Sequence, residues 1–243
     1  MRILIESDDV AAGQTAGRAA ADALRRILTD QPTARVVFAS APSQAGMIAT
    51  LVSSNVDLAA IEALHMDEYC GIEPGHSAAF GQWLEDRLGS AVTLHRLDPQ
   101  ADPDPEVARY AALVQQAPID LALVGIGVNG HIAFNEPHDL VPAGVLVRRV
   151  DLTRESRQQQ VDDGCFASLN DVPHTAVTLT TEALMSAKQI ICTVLGPRKA
   201  PAVRAALRGD VGAACPASVL QQHHDVLVVL DQAAASLLYE DDL

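Results

Sequence analysis

The chain has 243 residues, 49% of them apolar, and a formal net charge of −14 at pH 7. This charge excludes nucleic-acid backbones and anionic membranes as main partners, since both bind basic surfaces. The four cysteines form no C-x-x-C pair, so we expect neither disulfides nor a zinc site. The start of the sequence is unlike a secretory signal and no run approaches 18 apolar residues, so we expect a soluble, cytoplasmic protein without a membrane span.

Short apolar runs along the chain alternate with helical stretches. Most of the runs are too continuous to leave one face in water, which predicts buried parallel strands. We therefore expect a single α/β domain over residues 1–243, with a doubly wound, mostly parallel, Rossmann-like sheet and helices on both faces. In chain order, the sequence predicts strand 3–5, helix 11–28, strand 36–39, helix 77–88, helix 105–115, strand 121–124, strand 190–195, helix 198–207, strand 226–230 and helix 232–238.

Two adjacent acids follow the apolar run 58–64. The stretch LHMDEYCG at residues 64–71 places Asp67 and Glu68 at the end of this run, and doubly wound sheets bind ligands at the carboxyl ends of their strands. A carboxylate whose pKa is raised by burial or by a neighbouring acid can abstract a proton next to a carbonyl. The alternative is that Asp67 caps a turn and Glu68 is solvated.

A glycine-rich loop follows the strand predicted at 121–124. The stretch VGIGVNGHIAFNEP at residues 124–137 brings an amide, an imidazole and a carboxylate within eight residues, from Asn129, His131 and Glu136. A carboxylate or an amide can fix the imidazole tautomer while the other ring nitrogen exchanges a proton with a substrate. The alternative is a glycine-rich turn in which the histidine has no role.

These two stretches carry a family resemblance. HMDEYCGI and GVNGHIAFNEP resemble the signature of glucosamine-6-phosphate deaminases, within a wider group that includes the 6-phosphogluconolactonases. Two further stretches, LGPRKAPAV at 195–203 and PASVLQQH at 216–223, follow in the order and spacing of that family. Lactonases are similar in the glycine loop but usually have Asp-Glu-Arg where this chain has Asp67, Glu68 and Tyr69.

The resemblance implies an aldose–ketose isomerisation coupled to loss of ammonia, which gives fructose 6-phosphate from glucosamine 6-phosphate without a metal or an organic cofactor. It implies that His131, oriented by Glu136 and Asn129, opens the sugar ring and that Asp67 removes the proton on C2. The expected partner is thus a small sugar phosphate. Whether the protein forms a homo-oligomer is left open.

Position 129 departs from the family pattern, because many deaminases have Asp where this chain has Asn129. The change removes a negative charge that would stabilise an imidazolium. We expect an amide hydrogen bond to orient His131, with Glu136 as the carboxylate available to steady its charge.

The phosphate site departs further from the family pattern. The family has a Gly/Thr/Ser-rich loop after the second strand, whereas this chain has ASAPSQ at residues 39–44, with no glycine before Gly46. Backbone N–H groups at the start of the next helix can still hold a phosphate, helped by side chains of Ser40, Ser43 and Gln44. The alternative is that Ser43 only caps the helix.

The cationic phosphate ligands of the family are matched in part. Lys199 occupies the lysine position of the Gly-x-x-Lys pattern, but the expected arginine of the preceding helix is not evident. Arg157 is either a surrogate for it or a solvated helix residue, and Arg198 is another candidate. This departure keeps two other functions open: the same chemistry on another amino-sugar phosphate, such as galactosamine 6-phosphate, and a sugar-phosphate sensor without catalysis.

Overall fold

The computed structural model describes residues 1–239, which form ten strands and seven α-helices. None of these helices has the length and apolar content that a membrane span requires. The strands are β1 Arg2–Glu6, β2 Ala34–Phe38, β3 Ile61–His65, β4 Asp67–Tyr69, β5 Thr93–His95, β6 Leu121–Val124, β7 Val147–Asp151, β8 Thr175–Leu179, β9 Gln189–Val194 and β10 Val226–Asp231. The helices are α1 Asp9–Asp30, α2 Ala45–Val52, α3 Phe80–Leu88, α4 Pro103–Gln115, α5 Arg154–Asp162, α6 Thr181–Met185 and α7 Ala200–Arg208.

Seven of the described strands form one parallel sheet in the order β1-β10-β9-β6-β2-β3-β5. Helices α1, α2 and α3 cover one face, and α4, α6 and α7 cover the other. Both faces are apolar because successive side chains of a strand point to opposite sides, so Val36 and Val37 of β2 enter different cores. The predicted doubly wound parallel sheet is confirmed.

A second, antiparallel sheet of β4, β8 and β7 was not predicted. Strand β4 has only three residues, and Asp67 in it pairs with Thr178 of β8. The hydroxyl of Thr178 accepts a hydrogen bond from Phe134 N at 3.1 Å, and Asn135 Nδ2 donates to Leu179 O at 2.9 Å. Strand β8 therefore binds both the segment that contains Asp67 and the loop that follows β6.

The structure corrects two of the predicted elements. Strand β1 is not buried, because it lies at the edge of the sheet and leaves Leu4 and Ile5 more than 40% exposed. The stretch 232–238 forms hydrogen-bonded turns instead of a helix. These turns begin where the carboxylate of Asp231 accepts a hydrogen bond from Ala234 N at 2.7 Å.

Helices α1 and α2 approach each other closely because glycines face their contact. A Cβ atom at Gly17 would lie 2.6 Å from Met47 O and would collide with Thr50 Cβ. Gly13 and Gly46 pack against each other one turn away. The contact therefore depends on the absence of a side chain at Gly17.

We expect Gly17→Ala to destabilise the protein by up to about 2 kcal/mol, because overpacking a core costs about 1–3 kcal/mol and the gain in helix propensity offsets roughly 1 kcal/mol of this cost. Urea unfolding measures the change. The matched control is Gly212→Ala, where a Cβ atom meets no other atom within 4 Å and the change should stay within about 0.5 kcal/mol. Equal stability of the Gly17→Ala protein and the wild type would contradict the prediction.

Candidate active site

A cavity of about 760 Å³ opens at the carboxyl edge of the parallel sheet. Its wall is built from the segments that follow β1, β2, β3, β6, β9 and β10, as expected for this type of sheet. The predicted site residues in this wall are Ser40, Ser43, Gln44, Asp67, His131 and Lys199.

Asp67 lies in the cavity wall with only 4% of its surface exposed. Burial, with a smaller contribution from the adjacent Glu68, raises the pKa of Asp67 to about 8. A carboxylate with this pKa is a stronger base than a solvated one, which suits it to abstract a proton from carbon.

Glu68 is buried and lies outside the cavity wall. Its carboxylate accepts hydrogen bonds from the backbone N–H groups of Tyr69 at 3.0 Å, Phe80 at 3.1 Å and Gly81 at 2.8 Å. The last two belong to the first turn of α3, so the carboxylate satisfies donors that a helix start leaves unpaired. Glu68 therefore fixes α3 beside β4, and the alternative of a solvated Glu68 is wrong.

The glycines of the loop after β6 allow the imidazole of His131 to lie against the backbone. A Cβ atom at Gly127 would overlap the imidazole ring, and Gly130 adopts a φ of +86°. The turn is closed by hydrogen bonds from Gly127 N to His131 O at 2.8 Å and from Gly130 N to Gly127 O at 3.0 Å. The position of the ring therefore requires Gly127, and the backbone conformation of the loop favours glycine at position 130.

The amide of Asn129 connects the imidazole of His131 with the carboxylate of Glu136. Asn129 Nδ2 donates to Glu136 Oε2 at 2.9 Å, and Asn129 Oδ1 lies 2.8 Å from His131 Nδ1 and also accepts from His131 N. Because Oδ1 can only accept, the contact assigns the ring proton to Nδ1. In the described part of the chain no group hydrogen-bonds Nε2, so the lone pair on this nitrogen is available to a ligand.

Ser156 of α5 is a further member of this group that the sequence analysis missed. Its hydroxyl forms a short hydrogen bond to Glu136 Oε1 and lies 3.1 Å from His131 Nδ1. Glu136 is thus joined to the imidazole through both Asn129 and Ser156, while its own Oε2 lies 3.8 Å from Nδ1. The only sequence signal is the position of Ser156 on the buried face of a short polar helix.

The imidazole of His131 is neutral at physiological pH. Burial, together with the positive charge of Lys199, lowers its pKa to about 3. A neutral ring with a free Nε2 can take a proton from one oxygen and deliver it to another.

The residues predicted for phosphate binding after β2 surround the start of α2. Ser40 Oγ donates to Phe80 O at 3.2 Å, and Ser43 Oγ accepts from Gln44 Nε2 at 3.2 Å. Gln44 is fully buried and donates to Thr193 O at 3.1 Å, and among residues 1–239 its Oε1 has no hydrogen-bond partner. No described side chain caps α2, so the alternative of a plain cap at Ser43 is wrong.

Of the predicted cations, Lys199 lies in the cavity wall and Arg157 does not. Within residues 1–239, Lys199 supplies the one cationic side chain of this wall, and burial lowers its pKa to about 8. The guanidinium of Arg157 is buried elsewhere, where it donates to the carbonyl groups of Leu169 and Val172. Arg157 therefore holds α5 to the following loop, which replaces the expectation that it binds phosphate.

Arg198 points away from the cavity as well, since it is half exposed and pairs with Asp162 at 3.3 Å. Anion-binding capacity in the wall therefore comes from Lys199 and from two helix starts, at Pro42–Gln44 before α2 and Pro197–Lys199 before α7. Helix starts carry unpaired N–H groups and a partial positive charge. In residues 1–239, no group of three or more His, Cys, Asp or Glu side chains has the arrangement of a metal site.

Comparison with known proteins places this geometry in a family. The model of the glucosamine-6-phosphate isomerases/6-phosphogluconolactonase family matches residues 7–229. A glucosamine-6-phosphate deaminase of Exiguobacterium sibiricum is 38% identical over 208 residues, which cover 84% of this chain and 81% of that protein. One from Listeria monocytogenes is 36% identical over 196 residues, which cover 79% of this chain and 82% of that protein.

Solved structures show the same fold. A monomeric glucosamine-6-phosphate deaminase superposes with a TM-score of 0.89 at 29% identity, covering 98% of this chain and 100% of the other. A 6-phosphogluconolactonase from Shewanella baltica gives a TM-score of 0.78 at 18% identity, with 95% and 97% covered, and supports the fold alone. The chain belongs to the glucosamine-6-phosphate isomerase/6-phosphogluconolactonase family.

Proposed function

We propose that the protein is a glucosamine-6-phosphate deaminase, which converts glucosamine 6-phosphate and water into fructose 6-phosphate and ammonia. The observation that carries the proposal is that the buried carboxyl group of Asp67 and the neutral imidazole of His131 line one cavity, although they lie on different segments of the chain. Relatives and a structural neighbour that carry this name support the same reaction.

His131 opens the pyranose ring in the proposed mechanism. Its free Nε2 takes the proton of the hydroxyl group on C1, and the bond between C1 and the ring oxygen breaks as the C1 carbonyl forms. The same nitrogen then delivers the proton to the ring oxygen. Asn129 and Ser156 hold Nδ1 and Glu136 in place during this exchange.

Asp67 acts on the open-chain sugar. Its carboxylate removes the proton from C2, and the electron pair forms a double bond between C2 and C1. The C1 oxygen takes up the proton that the substrate ammonium group gives up, which leaves a neutral enolamine. Return of the proton to C1 leaves an imine at C2, which water hydrolyses to the ketone and ammonia. One carboxylate can make both transfers because C1 and C2 are adjacent on one face of the sugar.

The phosphate group is proposed to lie between the starts of α2 and α7. Lys199 supplies the charge there, and the hydroxyl of Ser43 together with the backbone N–H groups of Ser43 and Arg198 supplies donors. The long-range field of a chain with a net charge of −14 repels an anion, so the affinity must arise from these short-range contacts.

Asp67→Asn is expected to lower kcat by about 1000-fold with little change in KM, because an amide cannot accept the C2 proton. The assay is release of ammonia and fructose 6-phosphate from glucosamine 6-phosphate. Asp30→Asn, an exposed position at the end of α1, is the matched control and should retain wild-type activity. A wild-type protein without activity, or undiminished turnover in the Asp67→Asn protein, would argue decisively against the proposal.

The same assay with galactosamine 6-phosphate in place of glucosamine 6-phosphate tests which of the two epimers is the substrate.

The pH dependence follows from Asp67 and Lys199. Asp67 has a raised pKa, so its basic, charged form accumulates as the pH rises through about 8; Lys199 has a lowered pKa and loses its charge over the same range. We expect kcat/KM to rise towards pH 8 and to fall above it, and Lys199→Met to remove the falling limb. A wild-type profile that is flat between about pH 6 and 9 would contradict both assignments.

Ser156→Ala is expected to lower kcat about tenfold and leave KM within about twofold, because Glu136 and the imidazole lose one of their two connections. Steady-state kinetics measure both constants. Ser168→Ala, at an exposed loop position whose hydroxyl bonds only to Asp171 among the described residues, is the control. An unchanged kcat would show that Asn129 alone orients the ring.

A further inference from the structure

Gln159 of α5 contacts two functional parts of the cavity at once. Its buried Oε1 accepts hydrogen bonds from Val128 N at 3.0 Å and from Lys199 Nζ at 3.3 Å. Val128 lies in the glycine-rich loop, three residues before His131. A single carbonyl oxygen thus joins the loop that carries the imidazole to the cation of the cavity wall.

The orientation of this amide is fixed by its neighbours. Gln159 Nε2 donates to Asp163 Oδ2 at 3.3 Å, and a carboxylate can only accept at that position. Val128 N and Lys199 Nζ can only donate. If the oxygen and nitrogen of the amide were exchanged, the NH2 group would face the donors Val128 N and Lys199 Nζ, and the amide oxygen would face the carboxylate of Asp163. Only the observed orientation therefore satisfies all three partners.

The substrate limits the distance between these parts. The phosphate of a hexose 6-phosphate and its ring oxygen are separated by two carbon atoms, C6 and C5, and the ester oxygen. Rotation about the C5–C6 and C6–O6 bonds changes this separation only within a short range. An anion anchor and an imidazole that serve both ends of the unit must therefore keep their own separation within that range, because misplacement of reacting groups is costly to catalysis.

We propose that Gln159 is a positioning residue, which sets the distance between the phosphate anchor Lys199 and the ring-opening residue His131. This inference rests on the proposed function. A neutral amide suits the task, because it holds the ammonium group of Lys199 without neutralising the charge that the phosphate needs. A carboxylate at the same position would keep the acceptor for Val128 N but would compete with the phosphate for Lys199.

Two substitutions separate these effects. Gln159→Leu removes the acceptor, so we expect kcat/KM to fall about 100-fold, with changes in both constants. Gln159→Glu keeps the acceptor for Val128 N, adds charge and loses the donor to Asp163, so we expect kcat to fall less than in Gln159→Leu while KM and the inhibition constant of inorganic phosphate rise about tenfold. The matched control is Gln158→Leu, an exposed position on the same helix that bonds only to Asp162 among the described residues and should behave as wild type.

A double-mutant cycle with Lys199→Met tests the connection itself. In the Lys199→Met background, Gln159→Glu should no longer raise the inhibition constant of phosphate, because the charge it acts on is gone. The inference is overturned if Gln159→Leu retains wild-type constants. It is also overturned if Gln159→Glu weakens phosphate binding equally with and without Lys199.

Failure of the proposed function is recognisable separately. If the wild type does not turn over glucosamine 6-phosphate, calorimetry with that sugar phosphate replaces kinetics for the wild type and both Gln159 variants. The role of Gln159 at this site would be supported if the Gln159→Glu variant binds the sugar phosphate more weakly than the wild type and this difference disappears in the Lys199→Met background. Equal affinity in all three proteins would overturn it.

Discussion

The hydrogen bond from Phe134 N to the hydroxyl of Thr178 is the contact on which the site depends. Thr178 also pairs with Asp67 in the antiparallel sheet, so one fully buried residue of β8 holds both the acidic segment and the loop after β6. Without β8, Asp67 and His131 would be carried by two separate connections of the parallel sheet. The small second sheet thus turns two distant motifs into one rigid group.

The site handles an anionic substrate largely with neutral groups. Around His131 the contacts are an amide, a hydroxyl and one carboxylate, and in the described part of the cavity wall Lys199 is the one cation. Burial keeps the imidazole uncharged and makes the carboxyl group of Asp67 a stronger base, so the properties that the proposed mechanism requires of both groups follow from exclusion of water. The substitution of Asn for Asp at 129 agrees with this pattern, because the amide orients the ring without adding charge.

Sequence signals located the parts of the site that follow strands and failed for those carried by α5. Asp67 and His131 stand directly after apolar runs, where the fold puts its ligands. Helix α5, with the sequence RESRQQQVD, has the composition of a solvated helix. In the sequence, only the i, i+3 spacing of Ser156 and Gln159 indicates that they share a helix face. That this face is buried, and that Arg157 binds backbone carbonyl groups, is evident only from the packing in the structure. Strands β4, β5, β7 and β8 were missed because they are defined by pairing and not by a continuous apolar run, and β4 and β5 have only three residues each.

Asp231 has a consequence for how tightly product is held. Its carboxylate lies in the cavity wall, where both of its oxygens accept from Gly196 N and Oδ1 also accepts from Ala234 N. Gly196 directly precedes the helix start Pro197–Lys199 before α7. A fixed negative charge at that helix start opposes a bound phosphate group and lowers the residence time of any phosphorylated sugar. At the proposed phosphate site Lys199 therefore has to supply the attraction, and a phosphorylated product is released more readily than from a helix start that lacks this carboxylate.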